Sequence, residues 1–136
     1  MGPPEVILVD THVVIWLAGD PRRLSRKAVT AIEEARGDEG GGLAIAAFTL
    51  FELAYLVVRK RIKVTLPVES FLEDIASRFV VIPLNARIAA TAVQLPSTYP
   101  NDPMDRIIGA TALIEGLELV TADENIRRSK VLPTIW

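Results

Sequence analysis

Short, uninterrupted runs of apolar and β-branched residues recur along the chain. The first is Val6-Ile7-Leu8-Val9, in which no polar residue alternates with the apolar ones. Runs of this kind predict strands that are buried on both faces, as in a parallel sheet covered by helices. We predict four such strands and, because Pro133 restricts the last run to an edge, one short edge strand. They lie at residues 6–9, 43–46, 79–82, 117–120 and 131–136.

Segments with apolar residues at helical spacing lie between these runs. One opens on Asp102-Pro103, with proline at the first helical position, and ends before Gly116. Another opens on Thr49-x-x-Glu52, which matches a capping box. Helices are predicted at residues 25–35, 49–61, 68–77, 85–94 and 102–115. The alternation of strands and helices predicts one α/β domain over residues 1–136, a sandwich with a mostly parallel sheet.

The composition excludes several classes of protein. Half of the 136 residues are hydrophobic, which is enough to bury a core and excludes intrinsic disorder. There is no cysteine and one histidine, His12, so thiolate metal sites and catalytic histidine pairs are excluded. The longest apolar stretch, residues 43–58, is short for a membrane span and contains Glu52. With no secretory leader, we expect a cytoplasmic protein without a membrane partner.

Acidic residues follow the ends of the predicted strands. Asp10 comes directly after the first strand, and Glu52 lies in the first turn of the helix after the second. Asp123 follows the fourth strand, while Asp102 and Asp105 open the helix before it. Ligands of open parallel sheets bind beyond the carboxyl ends of the strands. We therefore expect these five carboxylates to converge on one rim.

Each acid also has a purely structural explanation. Asp10 and Asp102 could cap helices, Glu52 could complete the capping box, and Asp123 could lie in a turn. Clustered carboxylates repel one another, however, and a hard divalent cation such as Mg²⁺ or Mn²⁺ makes such a cluster stable. The same cation would hold phosphate oxygens and activate water, which indicates phosphodiester cleavage.

Four segments that contain these acids resemble motifs of the PIN-domain ribonucleases of the VapC toxin type. They are residues 8–17 (LVDTHVVIWL), 49–54 (TLFELA), 102–112 (DPMDRIIGATA) and 119–123 (LVTAD). The resemblance implies a three-layer α/β/α sandwich with a mostly parallel central sheet and a Mg²⁺- or Mn²⁺-dependent endoribonuclease. The residues to which it assigns catalysis and metal binding are Asp10, Glu52, Asp105 and Asp123, with Asp102 as a further metal ligand.

The resemblance also implies partners, namely an RNA substrate (tRNA or rRNA), a VapB-type antitoxin and a second copy of the chain. The formal net charge of −2 does not oppose RNA binding if five acids share one metal site, because the remaining surface is then mildly basic. The basic residues expected to hold phosphates are Arg106, Arg127, Arg128 and Lys130. Five apolar residues of the first two helical segments could pack in the core or bind a partner helix: Trp16, Leu17, Phe51, Tyr55 and Leu56.

Other readings of the same residues remain open. A haloacid-dehalogenase-like phosphatase needs a second aspartate where this chain has His12, and a phosphorylated receiver domain needs paired acids after the first strand. A stronger alternative is a PIN-like module that binds RNA or a partner without cutting it, although the complete set of acids argues against it. The hydroxyls of Thr11 and Thr121 could orient neighbouring carboxylates. The small residues that follow Asp105 could let its helix approach the sheet closely; they are Gly109, Ala110 and Ala112.

Overall fold

The sheet at the centre of the molecule has five strands, all parallel. The computed structural model describes residues 5–38 and 41–136. Its strands are β1 (Ile7–Val9), β2 (Leu43–Ala46), β3 (Val80–Ile82), β4 (Leu119–Val120) and β5 (Thr134–Ile135). They are ordered β3-β2-β1-β4-β5, with Leu8 of β1 opposite Ala44 of β2 and Leu119 of β4. The carboxyl ends of all five strands therefore point to the same edge.

Helices cover both faces of the sheet. They are α1 (Thr11–Gly19), α2 (Arg26–Arg36), α3 (Ala47–Val58), α4 (Val68–Arg78), α5 (Ala86–Val93), α6 (Pro103–Glu115) and α7 (Glu124–Ser129). Because successive strand residues point to opposite faces, Val9 packs with Val13 and Ile32 while Leu8 packs with Ile108 and Ile126. The three-layer α/β/α sandwich is thus confirmed. No helix among the residues described is both long and apolar enough to cross a membrane.

The apolar runs predicted the positions of the strands well, but the predicted burial of β3 on both faces is wrong. β1, β2 and β4 are buried along their whole length, as predicted. β3 lies instead at an edge of the sheet, where Val80 is 46% exposed. β5 forms the other edge, as Pro133 indicated.

One helix begins earlier than predicted, and another helix was not predicted. α3 begins at Ala47, directly after β2, so Thr49 lies inside the helix and the predicted capping box with Glu52 is wrong. Thr49 is fully buried, and its hydroxyl lies 3.1 Å from that of Thr11.

α7 was not predicted at all, because six residues are too few to show a helical period. Asp123 caps this helix through Ile126 N (3.0 Å).

Tyr99 fixes the position of α6. Its side chain is buried, and its hydroxyl donates a 2.8 Å hydrogen bond to the carbonyl oxygen of Asp105. Gly109, one turn further along α6, faces the Tyr99 ring, and a Cβ there would lie 2.3 Å from the hydroxyl oxygen. Of the small residues expected to let α6 approach the sheet, Ala112 packs with sheet residues Leu8 and Ala44. Gly109 instead makes room for the Tyr99 ring.

We predict that Gly109→Ala lowers the free energy of unfolding by about 1–3 kcal/mol, because the new methyl group overlaps the Tyr99 hydroxyl. Urea denaturation measures the change. Gly19→Ala is the matched control, because a Cβ at Gly19 meets no atom within 4 Å. Equal stability of the Gly109→Ala protein and the wild type would contradict the proposed role of this contact.

Candidate metal centre

Five acidic side chains line one open cavity at the carboxyl edge of the sheet. The cavity has a volume of about 340 Å³. Its acids are Asp10, Glu52, Asp102, Asp105 and Asp123. Four of them come together because parallel β1 and β4 are neighbours and the starts of α1, α6 and α7 meet beside them. Glu52 joins them from α3, which follows β2 on the other side of β1.

Asp10 is the most buried of these acids. Its Oδ1 accepts a hydrogen bond from Thr11 N, and its Oδ2 accepts one from the Thr121 hydroxyl, both at 2.8 Å. The Thr121 oxygen in turn accepts a hydrogen bond from Asp123 N at 3.1 Å. Burial raises the pKa of Asp10, and the Thr121 and Thr11 hydrogen bonds oppose that rise. Thr121 thus orients one acid directly and links it to a second, as expected.

Glu52 reaches the cavity from the second turn of α3. Burial raises its pKa, and the neighbouring charge of Asp10 raises it further, whereas a hydrogen bond with the Thr11 side chain opposes the rise. The Thr11 hydroxyl also contacts the buried Thr49 hydroxyl at 3.1 Å. The threonine at position 49 therefore supports the site from within the helix, a role that the sequence did not suggest.

Asp102 and Asp105 lie at the start of α6. Asp102 Oδ1 caps the helix by accepting hydrogen bonds from Met104 N (2.9 Å) and Asp105 N (3.1 Å). Burial raises the pKa of Asp105 to about 7, and the charges of Asp10, Asp102 and Asp123 add to the rise. The raised pKa of Asp105 therefore shows most clearly the repulsion between the acids of this cavity.

The donor set fits a hard divalent cation, because every acid in the cavity offers carboxylate oxygens. Within residues 5–38 and 41–136, no three Asp, Glu or His side chains already stand close enough to enclose one ion. The raised pKa values of Asp10 and Asp105 reflect burial and repulsion between the acids. A cation would offset that repulsion.

Comparison with known proteins identifies the family. A model of the family described as "PIN domain" matches residues 7–132. The chain belongs to the PIN-domain family. It is 44% identical over 132 residues to "Ribonuclease VapC22" of Mycobacterium tuberculosis, covering 96% of this chain and 98% of that protein.

Solved structures support the same fold for this PIN domain. VapBC2 from Rickettsia felis, bound to a DNA fragment from its promoter, gives a TM-score of 0.70 at 19% identity, over 95% of this chain and 96% of that one. A toxin–antitoxin complex from Klebsiella pneumoniae gives a TM-score of 0.61 at 27% identity, over 88% of each chain.

One basic residue predicted to bind RNA, Arg106, has a structural role in this PIN domain. The Arg106 guanidinium donates hydrogen bonds to the carbonyl oxygens of Ala92, Leu95 and Tyr99 at 3.2–3.3 Å. These contacts fasten residues 95–101 to α6, so the donors of Arg106 serve the fold. Its role in binding phosphates stays a prediction. The sequence did not suggest this role, because most of the acceptors are main-chain carbonyl oxygens.

The other three basic residues lie on or just after α7, close to Asp123. Arg128 forms an exposed ion pair with Glu124 at 2.6 Å. Arg127 Nε is buried with no hydrogen-bond partner among the residues described, and Lys130 is exposed at the end of the helix. Their role in binding RNA stays a prediction.

The raised pKa of Asp105 predicts how the metal-free PIN domain responds to pH. The folded state holds this proton up to about pH 7, whereas the unfolded chain releases it near the usual aspartate value of 3.8. Stability should therefore fall as the pH rises from about 4 to about 7, because ionisation is costly only in the folded state.

Thermal melting in a chelator at pH 5 and pH 7.5 measures this effect. Asp105→Asn should melt higher than the wild type at pH 7.5 and lose less stability between the two pH values. The pKa values of Asp10 and Glu52 are also raised, so part of the pH dependence should remain in this variant. Asp74→Asn, at an exposed acid outside the cavity, is the control and should behave as the wild type. The same pH dependence in all three proteins would contradict the explanation.

Proposed function

We propose that this PIN domain is a divalent-metal-dependent endoribonuclease and the toxin of a type II toxin–antitoxin pair. The observation that carries the proposal is the convergence of five carboxylates on one open cavity. The 44% identity to a ribonuclease along nearly its full length supports the same activity. Such an enzyme would act in the cytoplasm.

The residues that would hold Mg²⁺ or Mn²⁺ are Asp10, Glu52, Asp105 and Asp123, with Asp102 beside them. When bound, the metal supplies positive charge at the scissile phosphate and activates water. Asp10 is already oriented for this role, because both of its oxygens accept hydrogen bonds from the protein. Asp123 is held by the cap that it makes to α7 and by its main-chain contact with Thr121.

RNA is the proposed substrate, with tRNA or rRNA as the target. The exposed Arg128 and Lys130 and the half-buried Arg127 lie within seven residues of Asp123 along the chain. Their positive charges would hold phosphates on either side of the bond to be cut. The acidic cavity and these basic residues would then contact the same RNA chain.

We predict that the purified protein cleaves RNA in the presence of Mn²⁺ and that a chelator abolishes cleavage. Asp105→Asn and Asp123→Asn should each lower the rate by more than about 100-fold, since even residues that only support metal ligands cost 10- to 100-fold. Fragment formation on a gel measures the rate.

Asp74→Asn is the matched control for this assay and should cleave at the wild-type rate. Equal cleavage by the cavity variants would assign the activity to another site or a contaminant. Binding of RNA by the wild type without cleavage would support a non-catalytic PIN-like module instead.

An apolar groove offers a site for the antitoxin. The groove has a volume of about 660 Å³ and lies between α1, α3 and α4. Ile15, Leu56 and Phe71 line it, together with the half-exposed Leu66. Arg61 and Lys63 border it as well, so an amphipathic segment with acidic residues would fit. Two of the five apolar residues predicted to pack in the core or bind a partner helix, Trp16 and Leu56, line this groove.

We predict that Leu66→Asp weakens antitoxin binding by about tenfold or more, because it places a charge in an apolar contact. The antitoxin for this measurement is the product of a short gene beside the toxin gene, and calorimetry gives the affinity. Val93→Asp is the control, because Val93 is 78% exposed and lies outside the groove. If both variants bind as the wild type does, the antitoxin contacts another surface.

A further inference from the structure

Two side chains of α1 line both the acidic cavity and the apolar groove beside it. They are His12 and Trp16. His12 is exposed, and Trp16 is half-buried with its ring centroid 6.2 Å from the His12 ring. Neither side chain is one of the five carboxylates described above. A molecule that extends from the acidic cavity into the groove must pass this aromatic pair.

Trp16 is held in place by its surroundings. The Trp136 ring packs against it at a centroid distance of 5.9 Å and an angle of 52°. Trp136 itself packs against the apolar cluster between the sheet and α1–α4. The Trp16 ring is therefore supported by the core while part of it faces the cavity.

The face of the Trp16 ring already accepts a planar group. The Arg23 guanidinium carbon lies 4.6 Å from the ring centroid, a cation–π distance. Arg23 is exposed and forms none of the salt bridges found among the described residues, so it can move away at little cost. A nucleobase is also planar and stacks on tryptophan.

We propose that Trp16 is a stacking platform for an unpaired nucleobase of the substrate next to the bond that is cut. The base replaces the Arg23 guanidinium on the ring, and the released guanidinium then pairs with a phosphate of the same strand. This inference rests on the proposed nuclease function, and it names a further substrate-binding residue and the part of the nucleotide that this residue contacts.

Fluorescence tests the platform without any need for cleavage. The chain has two tryptophans, so Trp136→Phe leaves Trp16 as the sole indole while keeping an aromatic ring behind it. Titration of this protein in Mg²⁺ with AMP should quench Trp16 fluorescence. Ribose 5-phosphate, which has the same phosphate and sugar but no base, should bind about 5- to 100-fold more weakly. Equal affinity for the two compounds would overturn the proposal.

Kinetics of RNA cleavage provides the second test. Trp16→Leu should raise KM about tenfold or more with a smaller change in kcat, whereas Trp16→Phe, which keeps a ring, should lie within about threefold of the wild type. A merely structural role would lower the melting temperature and kcat of both variants alike. A normal KM in Trp16→Leu together with lost antitoxin binding would assign the ring to the protein partner and overturn the proposal.

The two experiments separate this inference from the nuclease proposal. If the AMP preference appears but the Asp105→Asn and Asp123→Asn proteins cleave as well as the wild type, the platform stands as an RNA-binding feature and the proposed catalytic centre fails. If those variants are inactive but AMP and ribose 5-phosphate bind equally, the nuclease stands and the platform fails.

Discussion

Repulsion between carboxylates is the constraint on which the site depends. The pKa of Asp105 rises to about 7 because burial and four neighbouring acids disfavour its charge. The fold offsets part of this cost with hydrogen bonds that favour the ionised form, above all the Thr121 hydroxyl and the Thr11 amide on Asp10. The repulsion that remains between the carboxylates favours binding of a cation, because the positive charge of the cation would offset it.

The position of α6 adds two of the five acids to this repulsion. Asp102 and Asp105 reach the cavity because Tyr99 and Arg106 fasten the preceding loop to the helix. Tyr99 fits only because residue 109 has no side chain. The packing of the buried Tyr99 ring therefore helps to bring Asp102 and Asp105 to the other three acids.

The sequence predicted the features that rest on local patterns. Continuous apolar runs gave the strands, Asp102-Pro103 and Gly116 gave the limits of α6, and Gly116 indeed adopts the left-handed backbone that ends it (φ 67°). What it missed depends on contacts between distant segments. Thr49 meets Thr11 across 38 residues, and Arg106 bonds to carbonyl oxygens that have no sequence signature. The edge position of β3 is likewise a matter of strand order, which its own residues do not encode.

Helix capping and metal binding, which the sequence presents as competing explanations of the acids, coincide in the structure. Asp10, Asp102 and Asp123 each cap a helix, and all three line the cavity. A cap lies at the positive end of the helix dipole, which stabilises a carboxylate there. Three helix starts that meet at one sheet edge therefore supply partial positive charge where the acids gather. The structural role of these residues is thus part of what allows five carboxylates to share one cavity.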